Sequence, residues 1–260
     1  HVTLGRRAAI KVLSHELAAD PGYVSRFLEE ARIVNAVRHP NIVDIFDFVE
    51  DCAPPRRVAC IMEFLPGPSL REVLSKGPLG MLSALNLALQ LSDALQAVHR
   101  GGVVHRDLKP NNIMLVEPLS SNMERVPAAK ILDFGIAKST ERRPECETAT
   151  GTMLGTPAYM APEQIVGSEI TPATDVYALA EVLFEMVAGK RVFLGDSKRA
   201  LAQKLRDDRI ELDLPRDVPC AEAILILTRD CLARRPAARP TLDDVEETLR
   251  RLRDEVAFRA

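Results

Sequence analysis

No run of 18 or more apolar residues occurs in the 260-residue chain, so no segment reads as a helix that crosses a bilayer. Nothing reads as a secretory signal peptide. Cysteine is sparse. The five, Cys52, Cys60, Cys146, Cys220 and Cys231, are odd in number and have no C-x-x-C spacing, which argues against a disulfide framework or a zinc site and for a reducing cytoplasm. An excess of positive charge is also missing. With 34 Lys and Arg against 37 Asp and Glu, the formal net charge of −3 implies no nucleic-acid partner. There is no internal repeat and no low-complexity tract. What remains, 47% hydrophobic and 27% charged residues, is the profile of a globular protein, long enough for one large domain or two lobes sharing a cleft.

The most specific stretch is His105-Arg106-Asp107-Leu108-Lys109-Pro110-Asn111-Asn112, which fills the pattern H-R-D-L-x-x-x-N. With five fixed positions at roughly 5% usage each, a chance match arises about once in several million windows. An Asp and an Asn five residues apart can set a carboxylate near a substrate hydroxyl and an amide oxygen on a metal ion. A Lys between them can reach a phosphate.

The rest of the chain divides into a strand-rich beginning and a helical remainder. Residues 8–13 read as a buried strand holding one cation, Lys11, which needs a carboxylate partner. Asp20-Pro21 reads as an N-cap and first helical residue, and apolar residues at helical spacing run from Val24 to Val37. Strands are expected at 42–49 and 58–62. Pro66-Gly67-Pro68 marks a boundary, followed at once by the capping box Ser69-Glu72. A long apolar helix is expected over 81–100, closed by Gly101-Gly102. Residues 113–116 and 130–132 can pair as a hairpin around an insertion over 117–128, and 139–152 reads as a loop. Helices are expected over 174–188 and 220–232, and Thr241 with Asp244 caps a last one. The fold class is α+β in two lobes.

Five further motifs stand in order around residues 105–112: Ala8-Ala9-Ile10-Lys11, Asp133-Phe134-Gly135, Gly155-Thr156-Pro157-Ala158-Tyr159, Ala161-Pro162-Glu163 and Asp175-Val176-Tyr177. With them, the chain resembles a Ser/Thr protein kinase catalytic domain of the bacterial eukaryotic-like (Hanks) type over essentially all its length. The resemblance implies a protein kinase-like fold with residues 1–62 as a partial small lobe, 63–68 as a hinge and 69–260 as a mainly helical large lobe. It implies ATP with Mg²⁺, or Mn²⁺ in its place, and protein substrates carrying Ser or Thr. Lys11 would hold the α- and β-phosphates and pair with a helix carboxylate, Glu29 or, by family spacing, Glu30. Asp107 would orient or deprotonate the attacking hydroxyl, and Lys109 would stabilise the moving phosphoryl group. Asn112 and Asp133 would carry Mg²⁺. Ala9 and Leu65 would sandwich the adenine, the backbone of Glu63 and Leu65 would bond its edge, and Met62 would gate the back of the pocket. His105, Phe134 and Val34 would pack together as a stack. Glu163 would pair with Arg239, and Asp175 would brace the catalytic-loop backbone. Ala180-Glu181 stands where the family usually has Gly-Cys and reads as a tolerated change.

Arg106 offers a cation to a phosphate on the activation segment, so autophosphorylation is expected at Thr148 and Thr150, with Thr152 in reserve. A homodimer would suit such phosphorylation in trans. The glycine-rich loop of the family is absent, because only Gly5 precedes Lys11. The expectation is a fragment that opens in mid-pattern, binds ATP weakly or not at all by itself and belongs to a longer parent, which could carry a membrane anchor elsewhere. The alternative is a pseudokinase acting as a scaffold, against which stands the joint presence of Lys11, Asp107, Asn112 and Asp133.

Overall fold

In the computed structural model the described residues are 5–51, 53, 56–116, 127–133, 157–194, 197–206, 210–215 and 218–259, and the side chains of Glu30, Pro157 and Ser197 lie outside them. The first three strands, β1 (Ala8–Val12), β2 (Ile45–Asp51) and β3 (Arg57–Glu63), form one antiparallel sheet in the order β1-β3-β2. Register sets Ala9 opposite Met62 and Lys11 opposite Cys60, so these four share one face. Ile10 and Val12, on the other face, are exposed.

Between β1 and β2 run α1 (His15–Ala18) and α2 (Pro21–Val37). Asp20 accepts from the N–H groups of Gly22 and Tyr23, satisfying donors that the first helical turn leaves free. Residues 42–44 do not join β2. Ile42 bridges to Ile131 and the Val43 N–H donates to the Ile131 carbonyl at 3.1 Å, which ties these two residues to the second sheet, while the Asp44 carbonyl accepts the Glu63 N–H of β3 at 2.9 Å. That sheet is the pair β4 (Ile113–Val116) and β5 (Ala128–Ile131). β5 begins two residues before the expected strand, because Leu115 and Val116 pair with Ala129 and Ala128.

Gly67 lets the chain pass close to β4. A Cβ there would lie 2.0 Å from the Leu115 carbonyl oxygen, and the Leu115 N–H donates to the Pro68 carbonyl at 2.9 Å. Helix α3 (Leu70–Leu74) then starts on a capping box in which Ser69 and Glu72 bond reciprocally.

Two helices carry the core. α4 (Met81–Arg100) buries a broad apolar face, and α6 (Pro172–Ala188) is buried from Thr174 to Val187. The short α5 (Pro162–Val166) precedes α6, and α7 (Ser197–Lys204), α8 (Ala221–Cys231) and α9 (Leu242–Arg259) pack around them. Helix α6 ends at Gly189, whose φ of +66° suits glycine. The architecture is α+β, a small antiparallel sheet followed by a mainly helical body. Among the described residues no helix is long and apolar enough to cross a membrane.

A helix buried on every side should be apolar, yet α6 buries Asp175, Glu181 and Glu185. Each needs a partner, because an unpaired buried carboxylate is costly. The three partners lead directly to the site.

Candidate active site

Asp175 is fully buried and accepts three hydrogen bonds. Its Oδ2 takes the His105 N–H at 2.8 Å and His99 Nε2 at 2.7 Å, and its Oδ1 takes the Arg106 N–H at 2.9 Å. The segment 105–107 is thereby hung from the first turn of α6. This fixes an unusual backbone: Arg106 has φ +65°, a left-handed conformation costly for a residue with a Cβ.

His105 is buried, and burial holds its imidazole below the ordinary value, so it is neutral. Its Nδ1 accepts the Asp107 N–H at 3.2 Å, so the proton sits on Nε2, which donates to the Leu132 carbonyl at 3.0 Å. Leu132 in turn donates its N–H to the Asn112 carbonyl at 2.8 Å. The residue before Asp133 is thus bonded to both ends of the 105–112 loop.

Within the loop, Asp107 Oδ2 accepts Lys109 Nζ at 2.7 Å and Asn112 Nδ2 at 3.0 Å, and Nδ2 also reaches the Asp107 carbonyl at 2.9 Å. The 3₁₀ turn Pro110–Asn112 brings Asn112 back beside Asp107. Since its amide nitrogen is turned on Asp107, the amide oxygen is the atom free to meet a cation. Asp133 also has a left-handed backbone, φ +49°, and its Oδ1 meets Lys11 Nζ at 2.7 Å. The structure thus brings Lys11, on the inner face of β1, onto Asp133. Glu29 is exposed, and the side chain of Glu30, the partner expected for Lys11, lies outside the described residues.

Lys11, Asp133, Cys60, Met62, Phe27 and Val34 line a cavity of about 210 Å³ between the first sheet and α2. Burial pushes the Cys60 thiol up to about 11, so it is not a nucleophile at neutral pH. Ala9 lies across from Met62 in the register, and Ala9, Met62, Glu63 and Leu65 are all half-buried. The Glu63 side chain bonds to Lys130 on β5 and accepts the Asp44 N–H at 2.9 Å. Phe134, Thr148, Thr150 and Thr152 lie outside the described residues.

Glu163, at the start of α5, meets Arg239 through two parallel bonds, and Thr174 Oγ1 donates to its Oε1 at 2.8 Å. The other two buried carboxylates of α6 were not legible as paired. Glu185 bonds to Arg71 at 2.8 Å and to the Tyr159 hydroxyl, while Glu181 accepts Lys204 Nζ at 2.9 Å. For Glu181 the signal was its departure from Gly-Cys, which is not a neutral change at a buried position.

Two hard oxygen donors, the Asp133 carboxylate and the Asn112 amide, are a modest set. Among the described residues no three His, Cys, Asp or Glu cluster into a metal site. This fits a Mg²⁺ ion, which keeps waters and phosphate oxygens in its shell, and would not fit a metal caged by protein alone.

A family model for the protein kinase domain matches residues 1–249. The chain is 37% identical over 252 residues to the serine/threonine-protein kinase pkn2 of Myxococcus xanthus, covering 94% of this chain and 29% of that protein. It is 42% identical over 204 residues to PknA of Mycobacterium tuberculosis, covering 77% and 45%. With PkaA of Streptomyces coelicolor the figures are 36% over 247 residues, 95% and 43%. The chain therefore spans less than half the length of these relatives. On the family match and these identities, the chain belongs to the protein kinase domain family, with bacterial serine/threonine-protein kinases among its relatives.

Proposed function

We propose that the chain is the catalytic domain of an ATP-dependent protein kinase that phosphorylates Ser and Thr hydroxyls. The observation that carries the reading is Asp107. Its carboxylate stands partly exposed beside Lys109 and Asn112, on a loop whose backbone Asp175 fixes. In that position it accepts the proton of, or orients, an acceptor hydroxyl, and Lys109 stands ready for charge on the phosphoryl oxygens. Lys11 and Asp133 would hold the phosphates and the cation, and Asn112 would give a second oxygen. Bound Mg²⁺ supplies neutralisation of phosphate charge. Ala9, Met62, Glu63 and Leu65 would frame the adenine. Glu30 on α2 would exchange with Asp133 as the partner of Lys11 on activation. Arg106 Nε is buried and finds no partner among the described residues, which supports a phosphorylated Thr on the segment before residue 157 as its counter-ion. Lys109 next to Asp107 favours Ser and Thr over Tyr as acceptors.

Incubating the full-length protein with Mg-ATP and a mixed protein substrate, then hydrolysing and identifying the phosphoamino acids, tests this. Phosphoserine and phosphothreonine are expected; phosphotyrosine alone would refute the acceptor class.

A further inference from the structure

Lys204 is the last residue of α7, Ser-Lys-Arg-Ala-Leu-Ala-Gln-Lys. Its side chain is 0% exposed. Nζ donates to the Ala158 carbonyl at 2.7 Å, the Met160 carbonyl at 2.8 Å and Glu181 at 2.9 Å, so three protons meet three acceptors. The rings of Tyr177 and Phe193 flank the ammonium at 5.2 and 5.1 Å.

Stability alone does not account for such a pair. Burial pushes the Glu181 carboxyl up to about 7 and the Lys204 ammonium down, both against their mutual attraction. An apolar pair of similar volume would serve the core as well or better. An apolar pair could not, however, hold two carbonyls of one turn.

That turn, Pro157–Tyr159 with Met160 and Ala161, has a direct line to the catalytic loop. The peptide joining Met160 to Ala161 is gripped at both ends. Its carbonyl accepts from Lys204, and its N–H donates to Gln164 Oε1 at 2.9 Å. Gln164 Nε2 then donates at 2.7 Å to the carbonyl of Arg106, the residue before Asp107. Tyr159, between the two held carbonyls, bonds to Arg71 and Glu185.

We propose that Lys204, neutralised by Glu181, is a positioning residue for the acceptor protein, fixing the turn 157–161 against which the substrate docks beside Asp107. The inference rests on the kinase reading for the docking role and on geometry alone for the clamp.

The test compares wild-type full-length protein with Lys204→Met and with Lys204→Met/Glu181→Leu, the second removing the carboxylate that the first leaves unpaired. Dephosphorylated casein serves as the acceptor, and hydrogen exchange is followed at the amides of Tyr159 and Ala161. The double variant should unfold at the wild-type urea midpoint or above. Both variants should show a KM for casein raised about 10-fold, a KM for ATP within about twofold of wild type, and faster exchange at the two amides. A folded double variant with wild-type casein KM and wild-type exchange overturns the proposal. Unchanged exchange overturns the clamp whatever the activity, whereas a wild-type protein that transfers no phosphate overturns the kinase reading and the docking role with it.

Discussion

Arg239 and Glu163, 76 residues apart, face each other through Nη1 to Oε1 at 2.7 Å and Nη2 to Oε2 at 2.8 Å, both side chains out of solvent. The remaining guanidinium hydrogens go to the carbonyls of Ala233, Ala173 and Arg234, so all five donors are used. The pair pins the start of α5, and so the end of the turn 157–161, to the segment before α9.

Removing one partner should therefore cost much more than an exposed ion pair would. Arg239→Met leaves the Glu163 carboxylate buried and is expected to lower the unfolding free energy by about 3–5 kcal/mol, read from urea titration. A loss below about 1 kcal/mol would mean that the pair is solvated in solution.

The same pair sets an acid limit. Burial pushes the Glu163 carboxyl up, but the Arg239 hydrogen bonds, with help from Thr174, outweigh it and leave it below its ordinary 4.5. The folded pKa is depressed, so the unfolded chain takes the proton first. The contribution to stability is complete above about pH 4.5 and is lost as pH falls through the folded value. Urea midpoints measured from about pH 6 to about pH 3 should fall more steeply for wild type than for Glu163→Gln. Parallel curves would remove Glu163 from the account of acid sensitivity.

Asp175 offers a separation of catalysis from substrate binding. Asp175→Asn keeps the volume but sets an amide NH₂ against one of three donors, from His99, His105 and Arg106. The left-handed Arg106 backbone then loses a fixed anchor. We expect kcat to drop at least about tenfold with KM for ATP little changed, because the loss falls on the placement of Asp107. A raised ATP KM with unaltered kcat would place the effect in nucleotide binding instead.

Phosphate on the segment before residue 157 is the proposed counter-ion of Arg106. Mass-spectrometric mapping after incubation with Mg-ATP should find phosphate at Thr148 or Thr150, or in reserve at Thr152. Arg106→Ala should abolish the activation that accompanies it. No phosphosite between residues 139 and 156 would discard the switch.

Much of the frame was legible because its signals are local. Asp20 before Pro21, Ser69 with Glu72 and Thr241 with Asp244 each bond within three residues, and the apolar period of 81–100 outlines α4 to the residue. What escaped depends on distant partners. Ile42 and Val43 have strand composition but bond to Ile131 in another sheet, and β2 starts only at Ile45. The short α1 has too few residues for a period to show. No rule of composition gives Arg106 and Asp133 a positive φ; the Asp175 bonds fix the first, and the second lies next to Leu132, held by Asn112 and His105. Ala180-Glu181 reads as a tolerated change because its partner is 23 residues away, and only packing α7 against α6 makes Glu181 and Lys204 a buried pair.

The central claim is that Asp107 serves phosphoryl transfer to a protein hydroxyl. The most direct measurement is transfer of labelled γ-phosphate from Mg-ATP to dephosphorylated casein by the full-length protein and by Asp107→Asn, with nucleotide affinity measured in parallel. The account predicts ATP affinity within about twofold and a transfer rate lower by about 100-fold or more in the variant. Equal transfer by the two proteins would contradict it.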